Sequence, residues 1–144
     1  MFSKSCEYGI RATLFIAQNS LTGKRVSLKD TAEQIGSPQA FTAKVLQQLS
    51  RNNIIHSTKG PNGGFEMDKD KLKQLSLMDV VTSIDGNKMF TECALGLREC
   101  NAKIPCPLHH KFGKVRNDLK EMLESSSLEY MAGNLEKGLA WLKC

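Results

Sequence analysis

The chain has 144 residues, of which 40% are hydrophobic and 24% are charged. This length supports one compact domain with at most an appended arm, and it excludes two domains with independent cores. The formal net charge of +5 suits a polyanionic partner, but an excess of this size is also common in proteins that never contact nucleic acid.

The first third of the chain predicts three helices in succession. Apolar residues at helical spacing place the first helix over residues 4–19. Ser27 fits the start of a capping box and opens a short second helix that ends at Gly36. A third helix then begins with Ser37 as the cap and Pro38 as the first helical residue, where a missing N–H has no cost.

The third predicted helix runs to about Arg51 and has two different faces. Its apolar stripe repeats about every four residues and consists of Phe41, Val45, Leu46 and Leu49. The opposite face carries Ala40, Ala43, Lys44 and Gln47. Two short helices separated by a Gly-Ser turn are typical of a helix-turn-helix motif.

A short hairpin is predicted directly after these helices. Residues 54–58 and 64–67 alternate as strands around the turn KGPNGG, residues 59–64. A glycine-rich hairpin alone indicates little, but its position after a helix-turn-helix indicates the wing of a winged helix. In that arrangement the third helix enters the major groove. Lys59 at the wing base then reaches phosphates or the narrow minor groove, whose negative potential favours a cation.

Four segments in this order resemble a known family, the Rrf2 family of bacterial winged-helix regulators. They are the opening segment EYGIRA (residues 7–12), the wing motif, the helix from Ser76 to Asp85 and the cysteine-rich segment that follows. The resemblance covers nearly the whole chain and implies a homodimer that binds operator DNA. It also implies that Lys59 inserts into the minor groove, where family members often have arginine. Lysine should bind there less well because it lacks the flat, weakly hydrated guanidinium.

The predicted recognition helix departs from the family's iron–sulfur cluster regulator. Ala40 and Ala43 occupy outward positions that carry polar contacts there, and alanine can offer only an apolar contact to a thymine methyl group. We therefore expect a different operator sequence. Gln39, Lys44 and Gln47 can form hydrogen bonds with bases or phosphates, although Gln47 also fits an ordinary solvated helix position. The predicted DNA-binding set is Gln39, Ala43, Lys44, Gln47, Lys59 and Asn62.

Residues 93–106 contain three of the chain's 5 cysteines. In a reducing compartment, clustered thiols indicate metal or redox chemistry rather than a disulfide framework. Six residues separate Cys93 from Cys100, five separate Cys100 from Cys106, and His109 follows shortly after. Thiolates and an imidazole suit zinc or an iron–sulfur cluster. Structural zinc sites usually contain close CxxC pairs, which this spacing lacks.

The resemblance to the Rrf2 family implies that Cys93, Cys100 and Cys106 hold a 2Fe–2S or 4Fe–4S cluster. The fourth ligand varies between members, and both options occur here. His109 has the spacing of the histidine ligand, and Glu7 occupies the position of an acidic ligand from the first helix. We expect His109, with Glu7 as the alternative, and a 2Fe–2S cluster, with 4Fe–4S as the alternative. The first cysteine gap is longer by a residue than is typical, which leaves the cluster type open.

The rest of the chain predicts a dimerisation helix. Apolar residues alternate at intervals of four and three along it, at Leu108, Phe112, Val115, Leu119 and Met122. This stripe is narrow, and so short a chain has little else to bury it against. Residues 128–142 form a last amphipathic segment. The predicted organisation is a winged helix-turn-helix domain (1–85), a cysteine-rich cluster loop (86–107), and a dimerisation helix with a C-terminal helical segment (108–144), mainly α with a small β-hairpin wing.

These expectations together predict a bacterial cytoplasmic, nucleoid-associated regulator. Its homodimer binds a pseudo-palindromic double-stranded operator, and cluster gain, loss or oxidation sets the affinity. No apolar run approaches the roughly 20 residues of a membrane-spanning helix, and the chain start lacks a signal peptide's apolar core. Two alternatives have the same fold: a cluster-free regulator that responds to thiol oxidation or a protein partner, and a zinc-stabilised DNA-binding protein. Enzyme motifs such as a phosphate-binding loop or a nucleophile elbow do not occur.

Overall fold

The computed structural model of the chain describes residues 1–99 and 101–142. Within these residues it contains eight helices and one antiparallel hairpin. In chain order, the elements are α1 (Lys4–Leu21), α2 (Leu28–Ile35), α3 (Gln39–Arg51), β1 (His56–Thr58), β2 (Gly64–Glu66), α4 (Lys69–Gln74), α5 (Leu77–Asp85), α6 (Lys88–Thr91), α7 (His109–Ser125) and α8 (Leu128–Glu136). The predicted fold class, mainly helical with a small hairpin wing, is confirmed.

The core forms around α1, which packs against α2, α3, α5 and α8. Ser3 begins α1, because its hydroxyl oxygen accepts a hydrogen bond from the Cys6 backbone N–H at 3.0 Å. The largest fully buried apolar side chains are Ile16, Leu46, Leu49, Leu72, Val80, Val81, Leu123 and Leu128. Truncating one such leucine to alanine typically costs about 2–5 kcal/mol, so these positions determine the stability of the domain.

The helix-turn-helix forms nearly as predicted. Ser27 caps α2 by accepting a hydrogen bond from the Asp30 backbone N–H at 3.0 Å. Gly36 ends the helix with φ of 65°, a left-handed conformation that glycine adopts without steric cost. The predicted cap of α3 was wrong by one residue. Pro38, with an extended ψ of 140°, is the cap residue itself, and the buried Ser37 hydroxyl has no hydrogen-bond partner in the described part of the chain.

The wing is shorter than the predicted strands. β1 and β2 pair over three residues each, from His56 opposite Glu66 to Thr58 opposite Gly64. Ile54 and Ile55, predicted as strand residues, are both buried in the core instead. Two successive buried side chains cannot belong to a half-exposed strand, in which alternate residues point to opposite faces. Val26 adds an isolated antiparallel bridge to Phe65, so the wing is attached to the segment before α2.

The C-terminal half connects back to the winged domain through backbone hydrogen bonds. The Leu77 N–H donates to the Ser126 carbonyl oxygen at 2.9 Å, and the Leu128 N–H donates to the Leu75 carbonyl oxygen at 3.1 Å. The start of α5 and the junction between α7 and α8 are therefore held together. Of the 17 residues of α7, only Leu123 is buried. None of the helices in residues 1–99 and 101–142 is long and apolar enough to cross a membrane.

Candidate DNA interface and cysteine loop

The outward face of α3 presents the predicted DNA-contacting residues. Gln39, Lys44 and Gln47 are exposed, and Ala43 is half-buried. The opposite face is fixed in the core by Val45, Leu46 and Leu49. Phe41, predicted as part of this core stripe, lies at its edge and is only half-buried. The face therefore offers two amides and an ammonium group on a rigid helix, in agreement with the placement expected from the sequence.

Arg11 fixes α2 and α3 against α1. Its guanidinium donates to the Ile35 carbonyl oxygen at the end of α2, at 3.0 Å. It also lies 4.6 Å from the centroid of the Tyr8 ring, a cation–π contact. The Tyr8 ring in turn contacts Phe41 of α3 edge-on, with centroids 5.5 Å apart. These contacts join three helices and hold the recognition face in one orientation.

The turn of the wing is open to solvent. Lys59 and Asn62, both predicted DNA contacts, are exposed. The Gly63 N–H donates to the Gly60 carbonyl oxygen at 2.9 Å and closes the turn. At Gly64, the first residue of β2, a Cβ would lie 2.5 Å from the Val26 carbonyl oxygen. Only glycine at this position lets β2 lie so close to the backbone of Val26.

Arg25, which was not predicted from the sequence, contacts the wing. Its Nη1 donates to the Asn62 carbonyl oxygen at 3.1 Å, and its Nε lies 3.2 Å from Glu66 Oε1. No motif identifies this arginine in the sequence. Its partners lie about 40 residues later in the chain, next to the bridge between Val26 and Phe65.

The cysteine loop brings several predicted ligands to one place. Cys93, Cys106 and His109 line a small cavity, together with Phe112 and other residues at the N-terminal end of α7. The backbone N–H of His109 donates to the carbonyl oxygen of Cys106 at 3.0 Å, which fixes the loop against the helix start. Cys100, the remaining predicted cysteine ligand, lies outside the described residues. Within residues 1–99 and 101–142, no three donor side chains are close enough together to hold a metal ion.

Glu7 lies apart from this cavity. It is in the first turn of α1, and its carboxylate forms an ion pair with Lys4, whose ammonium is 2.9 Å away. The hydrogen bond and charge of Lys4 lower the pKa of Glu7 below its usual range. Of the described residues that line the cavity with Cys93 and Cys106, none belongs to α1. The structure thus brings His109, and not Glu7, next to the two described cysteines within this chain.

Cys6 is buried in a different environment. It packs with Val81 and Leu123 and has no exposed surface. Burial raises the pKa of the Cys6 thiol to about 12, and the nearby Asp85 carboxylate adds to the effect. Asp85 itself accepts hydrogen bonds from the backbone N–H of Ser3 at 2.9 Å and from its hydroxyl. Cys6 therefore stays a protonated core residue near neutral pH.

A second contact missed from the sequence links α3 to the segment that leads into the cysteine loop. The Gln48 side-chain amide donates to the Ser83 carbonyl oxygen at 3.0 Å and approaches the Ile84 carbonyl oxygen at 3.4 Å. Both carbonyls belong to the last turn of α5, whose C-terminal groups lack helical partners. The chain then passes through α6 to Cys93.

The face of α7 predicted to dimerise is largely exposed. Phe112 is 41% exposed, Val115 is 64% exposed and Met122 is 47% exposed, while Leu119 is half-buried. Phe112, Val115 and Leu119 also line a groove that extends to α6 and Cys93. Exposed apolar side chains at helical spacing are typical of a surface that another protein covers.

The comparisons with known proteins define the class. A helix-turn-helix followed by a two-stranded wing is the architecture of winged-helix DNA-binding proteins. The structure resembles that of CymR, the global cysteine regulator of B. subtilis, with a TM-score of 0.74 at 19% identity over 92% of this chain and 96% of that one. It resembles T. potens IscR with the same TM-score, 0.74, at 21% identity over 99% of this chain and 93% of that one.

The family follows from the sequence matches. Residues 2–134 match the family Rrf2, described as an iron-dependent transcriptional regulator. The chain belongs to the Rrf2 family of DNA-binding transcriptional regulators and is not an enzyme. It is 26% identical to a provisionally named HTH-type transcriptional regulator of Aquifex aeolicus, over 96% of both chains. It is 27% identical to the HTH-type transcriptional regulator IscR of Photorhabdus laumondii, over 90% of this chain and 77% of the relative.

Proposed function

We propose that this regulator binds a pseudo-palindromic operator as a homodimer in the bacterial cytoplasm. Gln39, Ala43, Lys44 and Gln47 of α3 face the major groove, and the turn with Lys59 and Asn62 meets the adjacent minor groove. The observation that carries the proposal is the exposed polar face of α3 opposite a face whose residues Val45, Leu46 and Leu49 are buried. Amides read adenine edges and lysine pairs with guanine or with phosphates, so this face has the chemistry for direct readout.

A second copy of the chain is the proposed occupant of the exposed apolar stripe on α7. Palindromic half-sites require a twofold dimer with two recognition helices about one helical turn of DNA apart or a multiple of it. The stripe supports this because apolar side chains such as Val115 gain most from being covered by equivalent residues of a partner. Its length, the 17 residues of α7, gives about five helical turns for the contact.

We propose further that an iron–sulfur cluster bound at the cysteine loop sets the affinity for DNA. Cys93, Cys100, Cys106 and His109 would be its ligands, with a 2Fe–2S cluster as the expected form. The observation that supports these ligands is the cavity shared by Cys93, Cys106 and His109. When bound, such a cluster supplies a centre that responds to oxidants, nitric oxide and iron supply.

Gln48 provides a physical connection from this loop to the recognition helix. The loop follows α5 and α6, and the last turn of α5 accepts the hydrogen bond of Gln48. A reordering of the loop that moves the end of α5 would therefore shift α3 through this bond. The two states of the loop would then differ in the spacing or orientation of the recognition helices, which changes operator affinity.

A cluster-free, thiol-responsive regulator is the second candidate. The observation that favours it is that Cys93 and Cys106 line the same small cavity. Exposed or half-buried cysteines in one loop, such as Cys93 and Cys106, also suit reversible oxidation. A zinc-stabilised protein would use the same donors without sulfide.

Anaerobic reconstitution with iron and sulfide separates these candidates. We expect a coloured protein with both iron and acid-labile sulfide. Zinc without sulfide would indicate the zinc alternative, and a colourless protein would support the thiol-responsive one. His109→Ala should destabilise the cluster, while the matched variant of its exposed neighbour, His110→Ala, should not. Equal loss of the cluster in both variants, or loss only in Glu7→Gln, would contradict His109 as the fourth ligand.

A further inference from the structure

The side chain of Arg25 connects the wing turn to the segment before α2. The Nε of Arg25 lies 3.2 Å from Glu66 Oε1, and its Nη1 donates to the Asn62 carbonyl oxygen at 3.1 Å. Glu66 is the last residue of β2, and Asn62 lies in the turn. A planar guanidinium with several fixed donors can satisfy both partners at once, whereas an ammonium is a point charge. Arg25 thus spans the outgoing arm of the hairpin.

The backbone beside Arg25 is anchored in the core. The Val26 N–H donates to the Phe65 carbonyl oxygen at 3.0 Å, and the Phe65 N–H donates back at 2.7 Å. Val26 is itself buried. A Cβ at Gly64 would lie 3.5 Å from Arg25 Cγ, so the stem of the arginine runs close over this glycine. The arginine therefore extends from a fixed point toward the turn.

The turn is closed by the hydrogen bond from Gly63 to Gly60, but it extends into solvent from a short ladder. The β-ladder contains only three residue pairs, and Lys59, Gly60, Pro61 and Asn62 are all exposed. A two-stranded hairpin of this kind is at best marginally stable on its own. A turn that is ordered only on binding loses conformational entropy at that moment, which weakens the complex.

We propose that Arg25 is a positioning residue of the wing, which holds the turn in the conformation in which Lys59 meets DNA. The proposal rests on the DNA contact of the wing proposed above. Glu66 neutralises the guanidinium and Asn62 occupies one of its donors, so Arg25 acts through the wing rather than as a phosphate ligand. Glu66 has a positioning role as well, since its carboxylate holds the Nε of Arg25 next to β2.

Glu66→Gln gives the sharpest test, because two explanations predict opposite signs. It removes a negative charge near the DNA and breaks the ion pair. Electrostatics alone predicts tighter binding, whereas loss of positioning predicts weaker binding, by about threefold to tenfold. The probe is a duplex selected from a random library by the wild-type protein, and a scrambled duplex serves as the non-specific reference. We expect the loss to be larger on the selected duplex.

Arg25→Lys is the second variant. Lysine retains the positive charge, but its ammonium cannot reproduce the paired contacts of the guanidinium with Asn62 and Glu66. We therefore expect weaker DNA binding with an unchanged salt dependence. Lys24→Gln is the matched control for removing a neighbouring charge, and it should flatten the salt dependence or have no effect. Thermal unfolding of each variant verifies that the domain is folded at the assay temperature.

The outcomes distinguish this proposal from the one on which it rests. Lys59→Gln measures the contribution of the wing itself. If Lys59→Gln weakens binding while Glu66→Gln and Arg25→Lys bind as tightly as the wild type or more tightly, the positioning role is overturned and the wing contact stands. If Lys59→Gln has no effect, the wing contact is overturned and the positioning role with it.

Discussion

Gln48 of α3 donates a hydrogen bond to the carbonyl oxygen of Ser83 in α5, at 3.0 Å, in a half-buried position. This bond connects α3, the proposed recognition helix, to α5, from which the chain continues through α6 into the cysteine loop. A partly shielded amide–carbonyl bond contributes about 0.5–1.5 kcal/mol, which is enough to bias two arrangements that differ by a similar amount.

Gln48→Ala should therefore weaken the coupling between the loop and DNA binding. We expect the ratio of operator affinities with and without the reconstituted cofactor to fall severalfold, because coupling energies of 1–3 kcal/mol correspond to about 5–150-fold. The neighbouring residue Gln47 is exposed and supplies the matched control. Gln47→Ala should lower the affinity equally in both states and leave the ratio unchanged. If the ratio changes in Gln47→Ala and stays at the wild-type value in Gln48→Ala, the coupling does not pass through Gln48.

Lys59 should respond to substitution in two directions. Lys59→Arg should bind the operator more tightly, because a guanidinium loses less hydration when it enters the minor groove. Lys59→Gln should bind more weakly and reduce the slope of log affinity against log salt by about 0.9 if one phosphate contact is lost. Fluorescence anisotropy titrations at several salt concentrations measure both quantities. A Lys59→Gln variant with wild-type affinity at low salt would contradict a wing contact.

Val115 lies near the middle of the α7 stripe and is 64% exposed in the single chain. Val115→Glu should shift the protein from dimer to monomer, because a carboxylate in a covered apolar contact lacks a partner. It should also lower operator affinity, since only a dimer engages both half-sites. Analytical ultracentrifugation measures the oligomeric state. Glu121→Lys, a charge change at an exposed position of the same helix, is the control and should remain dimeric. A dimeric Val115→Glu variant would place the interface elsewhere.

Cys6 should make stability depend on pH in the alkaline range. Burial raises the pKa of its thiol from 9.0 to about 12 in the folded state. The unfolded chain therefore releases this proton at a lower pH than the folded chain. The thiol does not reduce the free energy of unfolding below pH 9, and it reduces it progressively between about pH 9 and 12. The loss approaches about 1.4 kcal/mol per pH unit for one such group. Cys6→Ala lacks the titrating group. The difference between its free energy of unfolding in urea and that of the wild type should therefore become smaller as the pH rises. A constant difference would contradict the raised pKa.

Local patterns predicted most of the winged-helix architecture. Apolar spacing, the Ser27 cap and the left-handed Gly36 act within a few residues, so α1 to α3 and the wing could be derived from the sequence. The predicted Ser37 cap was wrong because Pro38, whose ψ of 140° is extended, is the residue that precedes the first helical residue of α3. Ile54 and Ile55 are buried in the core and do not belong to a strand, and the sequence alone does not show this, because consecutive apolar residues in a sequence fit either a strand or a core segment.

Sequence patterns predicted only part of the candidate site. The exposed face of α3 follows from helical spacing, while the grouping of Cys93, Cys106 and His109 was expected from the resemblance to the Rrf2 family. The contacts of Arg25 and Gln48 do not, because each joins a side chain to a backbone carbonyl more than 30 residues away. Such bonds depend on how whole elements pack, and no local pattern encodes them.

One titration tests most directly whether the state of the cysteine loop sets operator affinity. The protein is reconstituted anaerobically with iron and sulfide, and its affinity for a selected operator duplex is measured before and after removal of the iron with a chelator. We expect a coloured protein and an affinity that changes about fivefold or more on iron removal, with the change lost in Cys106→Ser. A colourless protein, or equal affinities in the two states, would contradict it.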